Sequence, residues 1–368
     1  LGVLEGLGIK LLWFDSLGAK SASLLIDACG EYVVIDPGAA AMQPSYPLPS
    51  EEKLRLRDKA LRVIESACYR ASVIVITHYH YDHHVRPSQG KFRDPAKAYL
   101  GGKTIVAKDP NKYINESQWV RAREFFRELI ELSGGEFRNF LSEPLEESFR
   151  DPTEELRYAL SRDFGDYSSR RAELLRKGRR WFEGLVRKLW SSSEWVIEGE
   201  LPDGTKLVWG EGRSLRVGCA KLKFLKPHFH GIEYDRTGWV MPVIIELSGK
   251  VVIYTSDLMG PQIEDYAYEI ISHNPDVVIA DGPPTYLYPY MLNRINLRRA
   301  IENMELIIRE ARPELVIYDH HLLRERRWRV RVAEVFEVAK EVGTELLTAA
   351  EYLGEEPLID RVSREGSK

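Results

Sequence analysis

The residues best suited to chemistry lie in one octapeptide, Thr77-His78-Tyr79-His80-Tyr81-Asp82-His83-His84. His78, His80, His83 and His84 supply imidazoles and Asp82 a carboxylate. Neutral imidazole is the commonest metal ligand, and Asp adds a hard oxygen donor that can also take a proton from water. The distribution of the other histidines extends the point. The chain holds 9 histidines, and all but His273 fall into three groups: the octapeptide, then His228 and His230, then His320 and His321. With Asp36 and Asp257 added, the N and O donors are numerous enough to fill two metal coordination shells.

These groups need elements to position them. Each follows a short apolar, β-branched run that reads as a buried strand: 71–76 before His78, 215–225 before His228, 251–254 before Asp257 and 315–318 before His320. Residues outside the carboxyl ends of strands are where α/β proteins place chemistry. Further strands are expected at 9–15, 21–26, 32–35, 104–107, 194–197, 206–209, 239–247 and 277–280, with a hairpin turn at Ser248-Gly249-Lys250. Helices are expected at 50–70, 263–271, 293–312 and 324–342, and the tail from 361 reads as polar and frayed. Residues 109–190 differ in character. Their long, charged, helical pattern, with Trp119, Phe125, Phe126, Leu129 and Ile130 on one face, reads as a helical insertion within a single domain spanning 1–368.

Composition limits the alternatives. At 368 residues, with 44% hydrophobic and 29% charged positions, the chain can bury a large core. A net charge of -4 argues against a globally nucleic-acid-binding chain. The 3 cysteines, Cys29, Cys68 and Cys219, are far apart and odd in number; no disulfide framework is readable, which suits a reducing, cytoplasmic setting. No signal peptide or membrane-spanning run is expected, and so no membrane partner.

Taken in order, Ile35-Asp36-Pro37-Gly38, His78-x-His80-x-Asp82-His83, His230-Gly231, Asp257 and His320-His321 resemble the metallo-β-lactamase superfamily over nearly the whole chain outside the insertion. Asn115-x-Ser117-Gln118, Asp281-Gly-Pro-Pro-Thr-Tyr286 and Asp319-His-His-Leu322 resemble an archaeal branch of predicted metallo-hydrolases, a likeness that supplies no substrate. The resemblance implies an αββα sandwich of two mixed β-sheets flanked by helices. It implies that His78, His80 and His230 hold one metal, that Asp82 and His83 with His320 or His321 hold a second, and that Asp257 bridges them. Asp36 would orient the histidine loop from behind, and Asp82 would also orient or deprotonate the attacking water. The donors contain no thiolate, so two divalent ions are expected, Zn first, with Fe or Mn compatible. Two cations sharing a carboxylate lower the pKa of bound water toward neutrality, giving a hydroxide nucleophile and a hydrolase.

The expected substrate is a small molecule or nucleotide-like, with phosphoester or phosphodiester bonds favoured by the Arg-rich run at 169–188. Trp181, Phe182 and Trp190 are interleaved there, so the run could contact nucleic acid; as the solvated face of an amphipathic helix it would carry no such role. The rival functions are a di-iron redox protein of the same fold and a non-catalytic nucleic-acid- or partner-binding scaffold. His84 and His228 each stand beside a better candidate and are expected to support rather than ligate. Asp281 reads as part of a rigid turn, a ligand role for it being secondary to that of Asp257.

Overall fold

Where the apolar strand residues must go decides the architecture. Val73–Ile76 is buried throughout; Val73 and Val75 join one apolar cluster, Ile74 and Ile76 another. Val277–Asp281 divides the same way, with Val277 and Ile279 in the first cluster and Val278 and Ala280 in the second. Side chains alternate across a strand, so a strand apolar on both faces needs a layer on each side. The computed structural model, which describes residues 2–365, supplies those layers. Two seven-stranded mixed sheets face each other across the first cluster, and helices cover their outer faces through the second. This is the αββα arrangement expected above.

The first sheet contains β1 (Ile9–Phe14), β2 (Ala22–Ala28), β3 (Glu31–Ile35), β4 (Val73–Ile76), β5 (Thr104–Ala107), β6 (Gly199–Glu200) and β7 (Lys206–Trp209), in the order β1-β2-β3-β4-β5-β7-β6. Strands β3, β4, β5 and β7 run parallel. The second contains β8 (Ser214–Val217), β9 (Ala220–Phe224), β10 (Val243–Leu247), β11 (Lys250–Tyr254), β12 (Val277–Asp281), β13 (Leu315–Asp319) and β14 (Glu345–Leu347) in chain order, with β11 to β14 parallel. Parallel neighbours deliver their carboxyl ends to one rim. Strand β4 delivers the histidine loop there, β11 Asp257, and β13 His320 and His321. A two-stranded ribbon, His228–Phe229 with Trp239–Val240, carries His230.

The structure departs from the expected elements in four places. The run 215–225 is two strands joined by a turn at Gly218, whose φ is +49°. A side chain there would meet the Ala28 carbonyl oxygen at 1.9 Å. That close approach of two turns, one from each sheet, also joins Cys29 to Cys219 in a disulfide, with Cα atoms 5.7 Å apart. The expectation of unpaired cysteines is thereby overturned: spacing in sequence said nothing of two turns meeting in space, and only Cys68 is free. The run 239–247 is interrupted at Pro242, which has no N–H to give a ladder. The helix expected over 324–342 is a 3-10 segment, His320–Arg324, followed by Trp328–Arg331 and Ala333–Val342. Buried Trp328 marks the break, its indole N–H donating to Asp360. The tail from 361 is not frayed at its start, because helix Leu358–Glu365 runs through it; Leu1 and residues 366–368 lie outside the described residues.

Within 109–190 lie helix α2 (Glu116–Leu132) and helix α3 (Ser168–Leu185), the latter running into a π-helical turn, Val186–Trp190; helix α1 (Ser50–Cys68) precedes them and packs on the first sheet. The Asn115 side chain caps α2 by accepting from the Gln118 N–H. Among the described residues, no helix is long and apolar enough to cross a membrane.

Candidate metal centre

Asp257 is the middle of the site. It leaves β11 through Thr255 and Ser256, and Ser256 has a φ of +50°, an uncommon conformation for a residue with a side chain. Asp36 (φ +51°) and His320 (φ +58°) share that conformation. Backbone strain of this kind costs on the order of 1–3 kcal/mol per residue and persists where the surroundings over-determine it.

Four imidazoles converge on Asp257. Its Oδ2 lies 3.1 Å from His83 Nε2, 3.1 Å from His230 Nε2 and 3.3 Å from His78 Nε2. Its Oδ1 lies 3.3 Å from His320 Nε2. None of these approaches has hydrogen-bond alignment, so both carboxylate oxygens are buried without a hydrogen-bond partner, as are both nitrogens of His230. His80 adds Nδ1 at 3.1 Å from His78 Nε2. On the other side, His320 Nε2 is 3.3 Å from His83 Nε2 and 3.8 Å from Asp82 Oδ2. Groups with the spacing of metal ligands result, among them His78, His80, His230 and Asp257; Asp82, His83 and His320; and Asp36, His78 and His83. His321 forms a further grouping with Asp257 and His320.

The second nitrogens of the imidazoles are held from behind. Asp36 accepts from His83 Nδ1 at 2.8 Å and also from the Thr77 N–H, the Thr77 hydroxyl and the Tyr254 hydroxyl. It therefore ties the histidine loop to β3 and to the opposite sheet. Asp15 accepts from His320 Nδ1 at 2.8 Å. Asp281 lies 3.0 Å from His321 Nδ1, and its carboxylate also accepts from the His321 and Met259 N–H groups. A carboxylate on Nδ1 sets the tautomer and leaves Nε2 as a lone-pair donor. Gly38 lets the turn after Asp36 lie against the loop: a Cβ there would sit 2.3 Å from the His84 nitrogen.

The remaining candidates face elsewhere. His84 donates through Nδ1 to the His80 carbonyl and packs edge-on against Tyr79 and Phe125. His228 is turned outward between the Lys226 carbonyl and Glu269. The oxygens of Asp281 are occupied as described, which separates it from Asp257. Between the two adjacent histidines, His320 is the one grouped with Asp82 and His83.

The electrostatics follow from crowding charge in a dry space. Burial disfavours charge on His83, but Asp257 and Asp36 outweigh it and lift the imidazole to about 10. Burial and the neighbouring His83 push His78 down to about 4. Burial would raise Asp257 and Asp82, yet His83 and His320 hold both well below the usual carboxylate range, with Arg324 acting on Asp82. Asp281 goes the other way, raised by burial and by the Asp257 charge.

Asp15, Arg324 and Tyr254 are functional neighbours that the sequence reading passed over. Buried Arg324 donates to Asp15 at 2.6 Å and places Nη2 3.3 Å from Asp82 and 3.4 Å from His320 Nε2. The available signals were slight: Asp15 is a polar residue ending an apolar strand, and Arg324 follows His320 by four positions. The Arg-rich helix α3 is a correction of emphasis. Trp181 stacks on Trp239 at 5.6 Å, Phe182 and Trp190 are buried, and Arg170, Arg171, Lys177 and Arg179 are paired with carboxylates. Those aromatic residues are packed and not available for stacking on bases.

Two mixed sheets face to face, helices outside both, and a His/Asp cluster at the carboxyl ends of strands constitute the metallo-β-lactamase fold. No family model matches the chain. A UPF0282 protein of Methanopyrus kandleri is 29% identical to it over 94% of this chain and 93% of that protein. UPF0282 proteins of Korarchaeum cryptofilum and Aeropyrum pernix are each 28% identical, over 92% and 95% of this chain and 87% and 94% of theirs. Among solved structures, unliganded yeast PDE1 superposes with a TM-score of 0.42 at 10% identity, covering 93% of this chain and 97% of that one. The short form of human tRNase Z gives 0.38 at 12% identity, covering 85% and 91%. CmlA, a diiron β-hydroxylase from Streptomyces venezuelae, gives 0.40 at 12%, covering 89% and 51%.

Proposed function

We propose that the cluster holds two divalent cations and that the protein is a metal-dependent hydrolase acting on phosphoester or phosphodiester bonds. The observation that carries this reading is Asp257: a carboxylate with both oxygens buried, without a hydrogen bond, and ringed by four imidazole nitrogens at 3.1–3.3 Å. An unpaired buried acceptor costs on the order of 1–3 kcal/mol, and a cation between carboxylate and imidazoles removes that penalty. The donor set, all N and O, fits Zn first and also Fe or Mn.

His78, His80 and His230 with Asp257 would hold one ion, and Asp82, His83 and His320 with Asp257 the other, His321 standing beside them. When bound, such ions lower the pKa of water and neutralise charge developing on the substrate. The chain's own residues contribute orientation and proton handling. Asp36, Asp15 and Asp281 keep the Nδ1 protons of His83, His320 and His321 pointing away from the centre. Arg324, with Nη2 3.3 Å from Asp82, keeps that carboxylate ionised, so Asp82 can accept a proton from water at its Oδ atoms. The closed, apolar walls of the two sheets limit solvent around these groups and strengthen each interaction.

Elemental analysis of the purified protein, coupled to a screen of phosphodiester, phosphomonoester, thioester and lactone substrates, tests the reading. Zn or another divalent ion at near two equivalents, with hydrolysis lost in Asp257→Ala and His80→Ala variants that keep their circular dichroism, is the expected result. Paired redox-active iron without hydrolysis of any ester would replace it with the di-iron reading.

A further inference from the structure

Positive charge without an ion-pair partner gathers outside the Arg-rich run as well, in which Arg176, Arg180, Arg187 and Lys188 are also unpaired among the described residues. A groove of about 610 Å³ opens between helix α1 and the segment that follows the histidine loop. Arg57, Lys59, Arg62, Lys91 and Arg93 line it against one carboxylate, Asp58. Arg57 is paired with Asp58 and Arg62 with Glu65. Among the described residues, Lys59, Lys91 and Arg93 form no ion pair. Cations grouped without counter-charges repel one another and persist on a surface most readily where an anion fills the space between them.

One lining residue, Lys91, also touches the histidine loop. Lys91 stands 5.3 Å from the centroid of the Tyr81 ring, and Arg121 stands 4.7 Å from it. Tyr81 lies between His80 and Asp82, so Lys91 lines the groove and also overhangs the histidine loop. The Asp82 charge is felt by Lys91 and, beyond the loop, by Lys20, which Arg324 also opposes. Arg324, with Nη2 3.3 Å from Asp82, adds positive charge on the Asp82 side of the centre.

We propose that this groove holds the phosphate backbone of a nucleic-acid strand flanking the phosphodiester presented to the His/Asp centre. What happens at the centre rests on the hydrolase reading above; binding in the groove does not. A phosphate backbone fits better than an acidic protein, because the lining is charged and lacks the apolar anchors that form the core of a protein interface. Its repeating charge would also run from the groove to the ions. Binding of this kind releases counterions, so its affinity falls steeply with salt.

Fluorescence anisotropy on the full chain, with labelled single-stranded RNA and DNA of about 20 nucleotides and salt between about 50 and 200 mM, measures this directly. The wild-type protein should bind with a steep salt dependence. The triple variant Lys59→Glu, Lys91→Glu, Arg93→Glu should lose about tenfold or more in affinity at low salt, and its log–log salt slope should fall by about 2. The corresponding triple Gln variant should fall between the two, which separates charge from misfolding. Asp257→Ala should still bind. Wild-type protein that shows no salt-dependent binding, or a charge-reversed variant that binds as wild type does, overturns the proposal. Tighter binding of polyglutamate of matched charge than of RNA overturns it in favour of an acidic protein. Intact groove binding without hydrolysis of any ester would remove the hydrolase reading alone, and hydrolysis without groove binding would remove this proposal alone.

Discussion

Two buried clusters of ionisable residues in this molecule make opposite use of the same chemistry. Around Arg299, which is 1% exposed, every charge has an aligned partner. Its guanidinium makes bonds of 2.7–3.0 Å to both oxygens of Glu233 and both of Glu264. Arg171 and Arg162 add further bonds to those two carboxylates, and the three guanidiniums surround the ring of Phe164. Around Asp257 the distances are similar, yet neither of its oxygens has a hydrogen bond and the imidazole nitrogens face one another. A cluster that closes on itself fastens helix α3 to its neighbours. One whose imidazoles converge on a carboxylate without an aligned hydrogen bond to it is arranged for something positive between them.

The comparison breaks first at Arg299. Removing one partner of a buried ion cluster strands the other charges, so Arg299→Ala should cost about 3–5 kcal/mol in urea unfolding, with metal content per folded protein unchanged. A smaller loss would mean that water enters the cluster. Second comes its pH dependence. Burial would raise Glu233, but Arg299 and Arg171 hold it down at about 2, below its ordinary 4.5. A depressed carboxylate contributes stability above pH 4.5 and loses it as pH falls toward 2. Up to about 3 kcal/mol should therefore disappear across that window, and unfolding of Glu233→Gln should be correspondingly less pH-dependent there.

At the other cluster the supporting carboxylates should matter for ion affinity more than for folding. Asp15→Asn and Asp36→Asn should each weaken metal binding about 10- to 100-fold in competition titrations, because His320 and His83 lose the acceptor that sets their tautomer. Unchanged affinity would show that packing alone orients those rings. The smallest effect belongs to His228→Ala. This buried histidine faces Glu269 and not the centre, so metal affinity should change by less than about twofold even if stability falls. A larger change would return His228 to the ligand set.

Much of the site was legible in the chain because metal ligation demands particular atoms. Imidazoles and carboxylates following apolar strand runs single out His78, His80, Asp82, His83, His230 and Asp257 as candidates, and the fold brings them within reach of one another. The parallel strands were legible too, since a strand buried on both faces must be apolar at every position, as Val73–Ile76 is. The orienting carboxylate Asp15 was not, for a single Asp at the end of a strand has many uses and its partner His320 is 305 positions away. Nor could spacing tell His320 from His321, whose roles depend on a left-handed residue after β13 that turns one ring toward Asp82 and His83.

The sequence by itself determined which residue types are available, their delivery at strand ends and the two-layered burial of the sheets, because periodicity and donor chemistry are local properties. Tertiary structure alone decided which carboxylate holds which imidazole and that Cys29 meets Cys219. It also decided that the aromatic residues of the Arg-rich helix are packed and four of its cations paired, while Lys59, Lys91 and Arg93 in the groove beside helix α1 have no ion pair. Each of these depends on distances between residues far apart in the chain, and no local pattern records such distances.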